Sequence, residues 1–369
     1  MEVSNGVKIL RSYIMNELLG GLALSLAVFT FVLVMGNIIK LAEMVIAKGV
    51  DLAYVIRLFG YLTPYLLSYS IPMSVLTATL LCFGRLSNDN EITAMAASGI
   101  SLYRMCSPVI IIGLALSLGL LWLNDKVLPN SHYQSRRVLA EIGIKKPTAF
   151  LEPGTFIKNF KDYIIFIYEI KDNKLKGIRI YQPQKMRPVR TIIAKTGEFT
   201  VLPEQQLIKL ILYDGSSDEP DFDNPNRFFK LKFKAYEVSL NLKDYVAKID
   251  KKPKDMSISE IQQEMARLKE VSIEDLNALK VEMYKKFSLA FSAFAFVLIG
   301  IPLGITTKRS ERSVGFGVSL GIIIAYYIFA VACESFALKG KANPAIALWI
   351  PNITLILLSA FLVYKTAES

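Results

Sequence analysis

The chain has 369 residues, of which 53% are hydrophobic, and its mean hydropathy is +0.39. This composition excludes an ordinary soluble protein, in which polar residues are more abundant. The formal charge is +11, since 43 Lys and Arg outnumber 32 Asp and Glu, and such an excess favours contact with anionic partners.

Six windows contain no Asp, Glu, Lys or Arg, and each is 20 to 27 residues long. About 20 residues of helix cross the hydrocarbon core of a bilayer, and a buried soluble helix rarely stays uncharged for so long. The first window is too long for a signal peptide and is expected to remain as an anchor. The sequence therefore predicts an α-helical membrane protein with six transmembrane helices, at 18–39, 58–84, 105–124, 287–307, 313–333 and 342–364.

Six spans place both termini on one side of the membrane. With the N-terminus inside, the short inner segments carry eight Lys or Arg and the short outer loops carry four, if Arg57 at a span edge is left aside. The positive-inside rule therefore puts the termini in the cytoplasm. The long segment between spans three and four then lies on the outer side of the membrane.

Two features mark the first two spans. Lys40 and Lys48 follow the outer end of span one. They are candidates for contact with an anionic lipid headgroup, and ordinary snorkelling at the interface explains them equally well. Pro64 and Pro72 lie inside span two and remove backbone donors, so they are expected to bend or break that helix.

The polar stretch between spans two and three has the pattern of a short capped helix at 88–99. Asn88 can cap the helix, Glu91 can complete a capping box, and Gly99 can end it. Such a pattern is also typical of a simple turn between two spans. The apolar residues with helical spacing inside it are Ile92, Met95 and Ala96.

The segment 125–286 is the only part of the sequence able to form an aqueous domain. Its β-rich runs are separated by turn signals such as Pro153-Gly154 and Asp214-Gly215. This pattern predicts one inserted antiparallel β domain, sandwich or jelly-roll-like, at 129–256. It divides the chain into spans one to three at 1–128, the β domain, a connecting segment, and spans four to six at 287–369.

The connecting segment at 257–286 is expected to be helical. Ser257 and Glu260 have the spacing of a capping box, and Ser272 with Asp275 marks a second helix start. The whole segment 125–286 holds 30 Lys and Arg against 23 Asp and Glu. This excess is typical of lysine-guarded strand edges, and it also favours anionic lipid headgroups. Nucleic acid is not expected as a partner outside the inner membrane.

The sequence lacks the residues of most catalytic sites. His132 is its one histidine, so an HExxH zinc site is impossible and a His-based triad would depend on that residue. No GxxxxGK[ST] loop is present, and the chain is not expected to hydrolyse ATP or to bind a cofactor or metal of its own. The predicted span interiors carry no charge, which argues against an ion-coupled carrier and favours an amphiphilic substrate.

Six short motifs lie near the span ends: EITAM at 91–95, ASGIS at 97–101, VEMYKKF at 281–287, GIPLG at 300–304, RSVGFG at 312–317 and WIPN at 349–352. Together with the order of three spans, a β domain and three spans, they resemble the LptF/LptG family. Members of this family export lipopolysaccharide from the bacterial inner membrane.

The resemblance implies a permease subunit of an ABC transporter that passes lipopolysaccharide to a periplasmic β-jellyroll bridge. It implies a cytosolic ATPase dimer that uses the ATP, a sibling permease or a second copy of the chain, and a single-span partner with a periplasmic β-jellyroll. The 88–99 helix would be the coupling helix, with Glu91 as its charged contact and Asn88, Ile92 and Met95 beside it. Lys40 would face the lipid A phosphates.

Two other functions fit parts of the pattern. A membrane scaffold could use its β domain to bind a periplasmic protein without any transport, and co-purification of an ATPase would separate it from a permease. An intramembrane hydrolase is disfavoured, because the spans lack both a base and metal ligands.

Overall fold

The computed structural model describes residues 2–145, 154–160, 163–171, 174–184, 187–202, 207–220, 228–241, 251–267, 273–306 and 312–368. The chain divides into two compact units. The first, called here the helical unit, comprises Met1–Ile38, Tyr61–His132 and Lys251–Ser369. The second, the sheet unit, comprises Ile39–Gly60 and Tyr133–Asp250.

Long helices make up most of the chain on either side of the sheet. Those that precede the sheet are α1 (Glu2–Ile46), α2 (Leu52–Asn88), α3 (Glu91–Ala97), α4 (Leu102–Trp122) and α5 (Leu128–Lys145), with a π-helical turn, Leu123–Val127, between α4 and α5. Those that follow it are a 3₁₀ turn (Pro253–Asp255), α6 (Ile258–Arg267), α7 (Ile273–Thr306), α8 (Arg312–Leu338), α9 (Pro344–Ala347) and α10 (Ile350–Glu368).

Five helices within the described residues are long and apolar enough to cross a membrane. They correspond to the first five predicted spans, and the sixth is shared between α9 and α10. Asn343 accepts a hydrogen bond from Ala345 N at 3.0 Å and so begins α9. The apolar part of α10, Ile350–Lys365, is shorter than the other five. All 19 residues of α10 span ~28 Å, close to the thickness of a hydrocarbon core.

α7 crosses α2 at very short range. A Cβ added at Gly304 would lie 2.8 Å from Phe83 Cβ and 3.0 Å from Leu80 O. Only glycine permits such an approach, which gives the GIPLG motif a packing role. The core around this crossing is formed by α1, α2, α4 and α7 and includes Ile14, Leu18, Ala78, Phe83, Leu86, Met105 and Val297.

α2 continues as one helix through both of its prolines. Hydroxyl groups beside the prolines bind backbone carbonyls, since Ser68 Oγ donates to Tyr65 O at 2.8 Å and Ser74 Oγ donates to Ser70 O. These bonds end on carbonyls other than those of Gly60 and Ser68, which lose their α-helical donors to Pro64 and Pro72. The structure shows no break at Pro64 or Pro72, and bending at these residues stays a prediction.

The sheet unit contains six antiparallel strands in the order β1 to β6, so each described strand pairs with its neighbours in sequence. One face of the sheet is buried and carries Ile165, Ile167, Ile178, Ile180, Ile192, Leu210 and Leu212. The strands are β1 (Phe156–Phe160), β2 (Tyr163–Lys171), β3 (Lys174–Gln184), β4 (Arg187–Leu202), β5 (Leu207–Pro220) and β6 (Phe228–Asn241).

The structure confirms the predicted antiparallel β domain inserted between the helices, and its described strands form one meander. The β-rich part begins later than residue 129, because α5 contains Pro129 and continues to Lys145. Pro129 directly follows the π-helical turn that joins α4 to α5, so its missing N–H lies inside a continuous helical stretch.

Candidate functional site

α3 is a seven-residue helix that begins at Glu91. Asn88 does not cap it, because Asn88 is the last residue of α2. The residue before α3 is Asn90, which has the left-handed φ of 58° and no side-chain capping bond. The predicted capping box of Asn88 and Glu91 is therefore wrong. Asparagine tolerates positive φ, so Asn90 makes the turn and Asn88 stays helical.

The end of α3 is as predicted. Gly99 has a φ of 80°, the left-handed conformation that glycine adopts without strain. Ile100 N donates to Met95 O at 3.1 Å, and Gly99 N donates to Ala96 O at 2.9 Å. This pair of bonds is a Schellman motif, which satisfies the last carbonyls of a helix.

The two faces of α3 differ in chemistry. Ile92 and Met95 are half-buried and pack against the apolar core of the helical unit. They therefore attach α3 to the bundle, and any effect of theirs on a partner would act through the position of α3. The exposed face consists of small side chains, namely Thr93, Ala94, Ala96 and Ala97.

Glu91 belongs to a polar group that joins α1, α2 and α3, called here the Arg85 cluster: Tyr13, Glu17, Arg85, Asp89 and Glu91. Tyr13 OH donates to Glu91 Oε1 at 2.9 Å, and Arg85 Nη2 donates to Tyr13 OH at 2.7 Å. Arg85 Nε lies 2.8 Å from Glu17 Oε1 as an ion pair, without an aligned hydrogen bond. Arg85 Nη1 lies 3.9 Å from Glu91 Oε1 and 3.8 Å from Asp89 Oδ2.

The side chains of Arg85 and Glu91 are 26% and 32% exposed, so solvent screens their attraction. The Arg85 cluster consequently fixes the position of α3 against α1 and α2 more than it adds to the stability of the fold. Sequence reasoning missed Tyr13, Glu17 and Arg85, although all three lie at the same predicted membrane face as Glu91. The sequence contains no local signal that pairs Tyr13 or Glu17 with residues of α2 and α3.

Lys40 and Lys48, the predicted lipid-contacting residues, lie in the sheet unit as the chain is divided. Lys40 is exposed on the last turns of α1. Lys48 is half-buried in the turn after α1, where its backbone N donates to Glu43 O at 3.1 Å. Of the two, Lys40 has the side chain that is more accessible to a headgroup.

Two lysines just before the fourth predicted span, one half-buried and one buried, make hydrogen bonds within the helical unit. Lys285 Nζ donates to Glu334 Oε1 at 2.7 Å, which links α7 to α8. Lys286 is only 5% exposed, and its Nζ donates to Asn124 O at 3.0 Å and to Met256 O at 2.7 Å. The predicted fourth span began at residue 287 because the windows admit no charged residue. The helix itself, α7, begins at Ile273 and therefore includes both lysines.

In the described parts of the chain, no group of three His, Cys, Asp or Glu side chains could hold a metal ion. The His132 ring packs edge-on against Tyr65, with 5.8 Å between the ring centroids. Cys82, Cys106 and Cys333 are buried free thiols. Such cysteines behave as small apolar residues.

Comparisons with known proteins agree with this architecture. The profile of the family described as "Lipopolysaccharide export system permease LptF/LptG" matches residues 12–365. The chain is 20% identical over 361 residues to the lipopolysaccharide export system permease protein LptF of Escherichia coli (strain K12), which covers 95% of the chain and 93% of the relative. It is 23% identical over 300 residues to the corresponding LptG protein, covering 80% and 81%. The chain therefore belongs to the lipopolysaccharide export system permease LptF/LptG family.

Proposed function

We propose that the chain is the permease subunit of an ABC transporter that extracts lipopolysaccharide from the inner membrane. It passes the lipid to a periplasmic β-jellyroll bridge, and a separate cytosolic subunit hydrolyses the ATP. The observation that carries this proposal is the family match over residues 12–365, which includes both the helical unit and the inserted sheet.

α3 is the proposed site of coupling to the ATPase. Its small exposed side chains suit a groove on a partner, and its inner face is attached to the core through Ile92 and Met95. A push on the exposed face would thus reach the helices that form the transport pathway. In this arrangement the Oε1 atom of Glu91 orients α3 through Tyr13 and Arg85. The other oxygen of the Glu91 carboxylate would contact the ATPase.

Mechanical work is required because the substrate is a lipid with several acyl chains. Moving each CH₂ group out of an apolar setting costs about 0.8 kcal/mol. The bundle contributes long apolar helices. ATP closure in the partner would narrow the cavity between two permease subunits, with α2 bending at Pro64 and Pro72.

The assembly that fits this function contains an ATPase dimer, a sibling permease and a single-span protein with a periplasmic β-jellyroll. A second copy of the chain could replace the sibling. The chain itself is multi-pass in the inner membrane, with the sheet in the periplasm and α3 in the cytosol. Lys40 and Lys48 would meet the lipid A phosphates at the outer end of α1.

Reconstitution tests the proposal. The tagged chain is co-expressed with the lipopolysaccharide export ATPase and sibling permease of its own genome, purified, and placed in liposomes that contain lipopolysaccharide. ATP-dependent transfer of the lipid to a soluble β-jellyroll acceptor is expected. An ATPase variant that cannot hydrolyse ATP is the control. If no ATPase co-purifies and no lipid is transferred, a scaffold function replaces the permease.

A further inference from the structure

The π-helical turn between α4 and α5 has a local cause. Pro129 lies four residues after Asp125 and cannot donate the backbone bond that an α-helix requires there. The helix widens at this point, and Leu128 N donates to Leu123 O, five residues back. Such π turns inside α-helices are frequent at functional positions.

The widening leaves one carbonyl in need of a donor. Within the described helix at 102–145, Leu128 N is the α-helical donor for Asn124 O and is bonded elsewhere. The π-helical donor would be residue 129, a proline without an N–H. Asn124 is 1% exposed, and an unpaired carbonyl at a buried membrane position is costly. Lys286 Nζ supplies the missing bond from α7 at 3.0 Å.

The same ammonium group holds the segment that follows the sheet in the chain. Lys286 Nζ donates to Met256 O at 2.7 Å, immediately before α6. A second link runs in parallel, because Ile258 N donates to Asp125 Oδ1 at 2.6 Å. The π turn, α7 at Lys286 and the connector at 251–267 therefore meet at one point, called here the Lys286 junction.

We infer that Lys286 is a positioning residue for lipid transfer, which ties the connector at 251–267 to the third and fourth spans through the π turn. A buried ammonium is expensive unless its donors are used, and two carbonyls use them here. The inference rests on the proposed export function. The link between the connector and the π turn does not depend on that function. It can be measured as a distance in the complex without any lipid.

Spin labels at Asn130→Cys and Ser259→Cys report the geometry of the junction in the purified complex. Both positions are exposed, and Asn130 follows the π turn while Ser259 lies in the connector. The native cysteines are buried. A narrow distance distribution is expected in the parent and in Lys286→Arg. A broad one is expected in Lys286→Met. Lys285→Met, which breaks the ion pair with Glu334 and leaves Lys286 in place, should stay narrow.

Measurement of lipid transfer separates a positioning role of Lys286 from a merely structural one. Lys286→Met should lower ATP-driven lipid transfer about tenfold, the scale expected for losing a charge-assisted hydrogen bond, with ATP hydrolysis retained. Adding Pro129→Ala restores a backbone donor at 129. The double variant Lys286→Met/Pro129→Ala should therefore regain melting temperature and keep both the broad distribution and the low transfer.

Two results would overturn the inference. One is a narrow distance distribution in Lys286→Met. The other is full recovery of lipid transfer in the double variant, because Lys286 would then serve only to satisfy a carbonyl. A parent complex that transfers no lipid would instead contradict the proposed function, and the spin-label distances would still test the junction.

Discussion

Tyr13 donates its hydroxyl to the Glu91 carboxylate across 2.9 Å, although 78 positions separate the two residues in the chain. The hydroxyl also accepts a bond from Arg85 at 2.7 Å. α3 is consequently attached to α1 as well as to the adjacent α2. Any displacement of α3 by a partner should thus reach the first span directly.

Tyr13→Phe removes the hydroxyl that bridges Arg85 and Glu91 and keeps the ring. We expect the lipid transferred per ATP hydrolysed to fall about two- to fivefold, the range for a half-exposed polar contact. The melting temperature should change little, because the group is only partly buried. Tyr103→Phe is the matched control, since Tyr103 is 77% exposed. Equal effects of the two substitutions would contradict a coupling role for Tyr13.

Ala94→Trp places a large ring on the exposed face of α3. We expect co-purification of the ATPase to fall at least ~tenfold, because a close-fitting groove cannot admit the ring. The fold should persist, since Ala94 points away from the core. Ala53→Trp makes the same change at another exposed helical alanine and should leave ATPase capture intact. Retained capture in Ala94→Trp would exclude this face as the docking surface.

Lys40→Glu reverses the charge at the outer end of α1. Crosslinking of lipopolysaccharide to neighbouring residues should fall about threefold or more, because the phosphates of lipid A would meet a like charge. Lys339→Glu is the control on another exposed lysine predicted in an outer loop. Unchanged crosslinking in Lys40→Glu would leave Lys40 as a residue that only snorkels to the interface.

Gly304→Ala tests the crossing of α2 and α7. The new methyl group would meet Phe83 Cβ at 2.8 Å and Leu80 O at 3.0 Å, so we expect a loss of about 1–3 kcal/mol in stability. Gly321→Ala meets nothing within 4 Å and should be neutral or slightly stabilising. Thermal denaturation in detergent measures both. A neutral Gly304→Ala would show that the helices can separate without cost.

Glu260 predicts a pH dependence at the start of α6. The hydrogen bond from Lys251 and the backbone N–H of Ser257 lower the pKa of the Glu260 carboxyl. Its folded-state pKa therefore lies below the unfolded one, and its contribution to stability is present above the ordinary glutamate pKa of about 4.3. That contribution is lost as the pH falls through the lowered folded pKa.

Hydrogen exchange in α6 measures this effect. Protection of the Ile261 amide should be weaker in Glu260→Gln than in the parent at neutral pH, and the difference should disappear in acid. Glu264→Gln, at a partly exposed position beside Arg267, removes another carboxylate of α6 and is the matched control. A difference in Glu260→Gln that persists below the folded pKa would assign the effect to packing.

Local sequence signals predicted much of the fold. Uncharged windows located the first five spans, because a bilayer demands long apolar helices. Gly99 ended α3 as expected, and Ser257 with Glu260 formed the predicted capping box, with Ser257 N donating to Glu260 Oε2 at 2.8 Å. Each of these signals acts within a few residues of the structure that it predicts.

The misses arose where two signals competed or where the partner was distant. Asn88 and Asn90 can each end one helix and begin the next. In the structure Asn90 adopts the left-handed conformation before α3, and this could not be predicted from the sequence. Tyr13 and Lys286 act on residues 78 and 162 positions away. Because no local pattern encodes such pairs, the candidate sites became visible only through tertiary packing.

The meander order of the sheet has a consequence for biosynthesis. Its described strands need only local hairpin closures, which are entropically cheap, so the pairing can form in the nascent chain once residue 241 has left the ribosome. The bundle depends on a distant segment, as in the bond from Ser87 Oγ to Ile305 O, with 218 positions between them. The early spans therefore remain without their central neighbour until α7 is inserted, and the bundle is the last part of the molecule to become native.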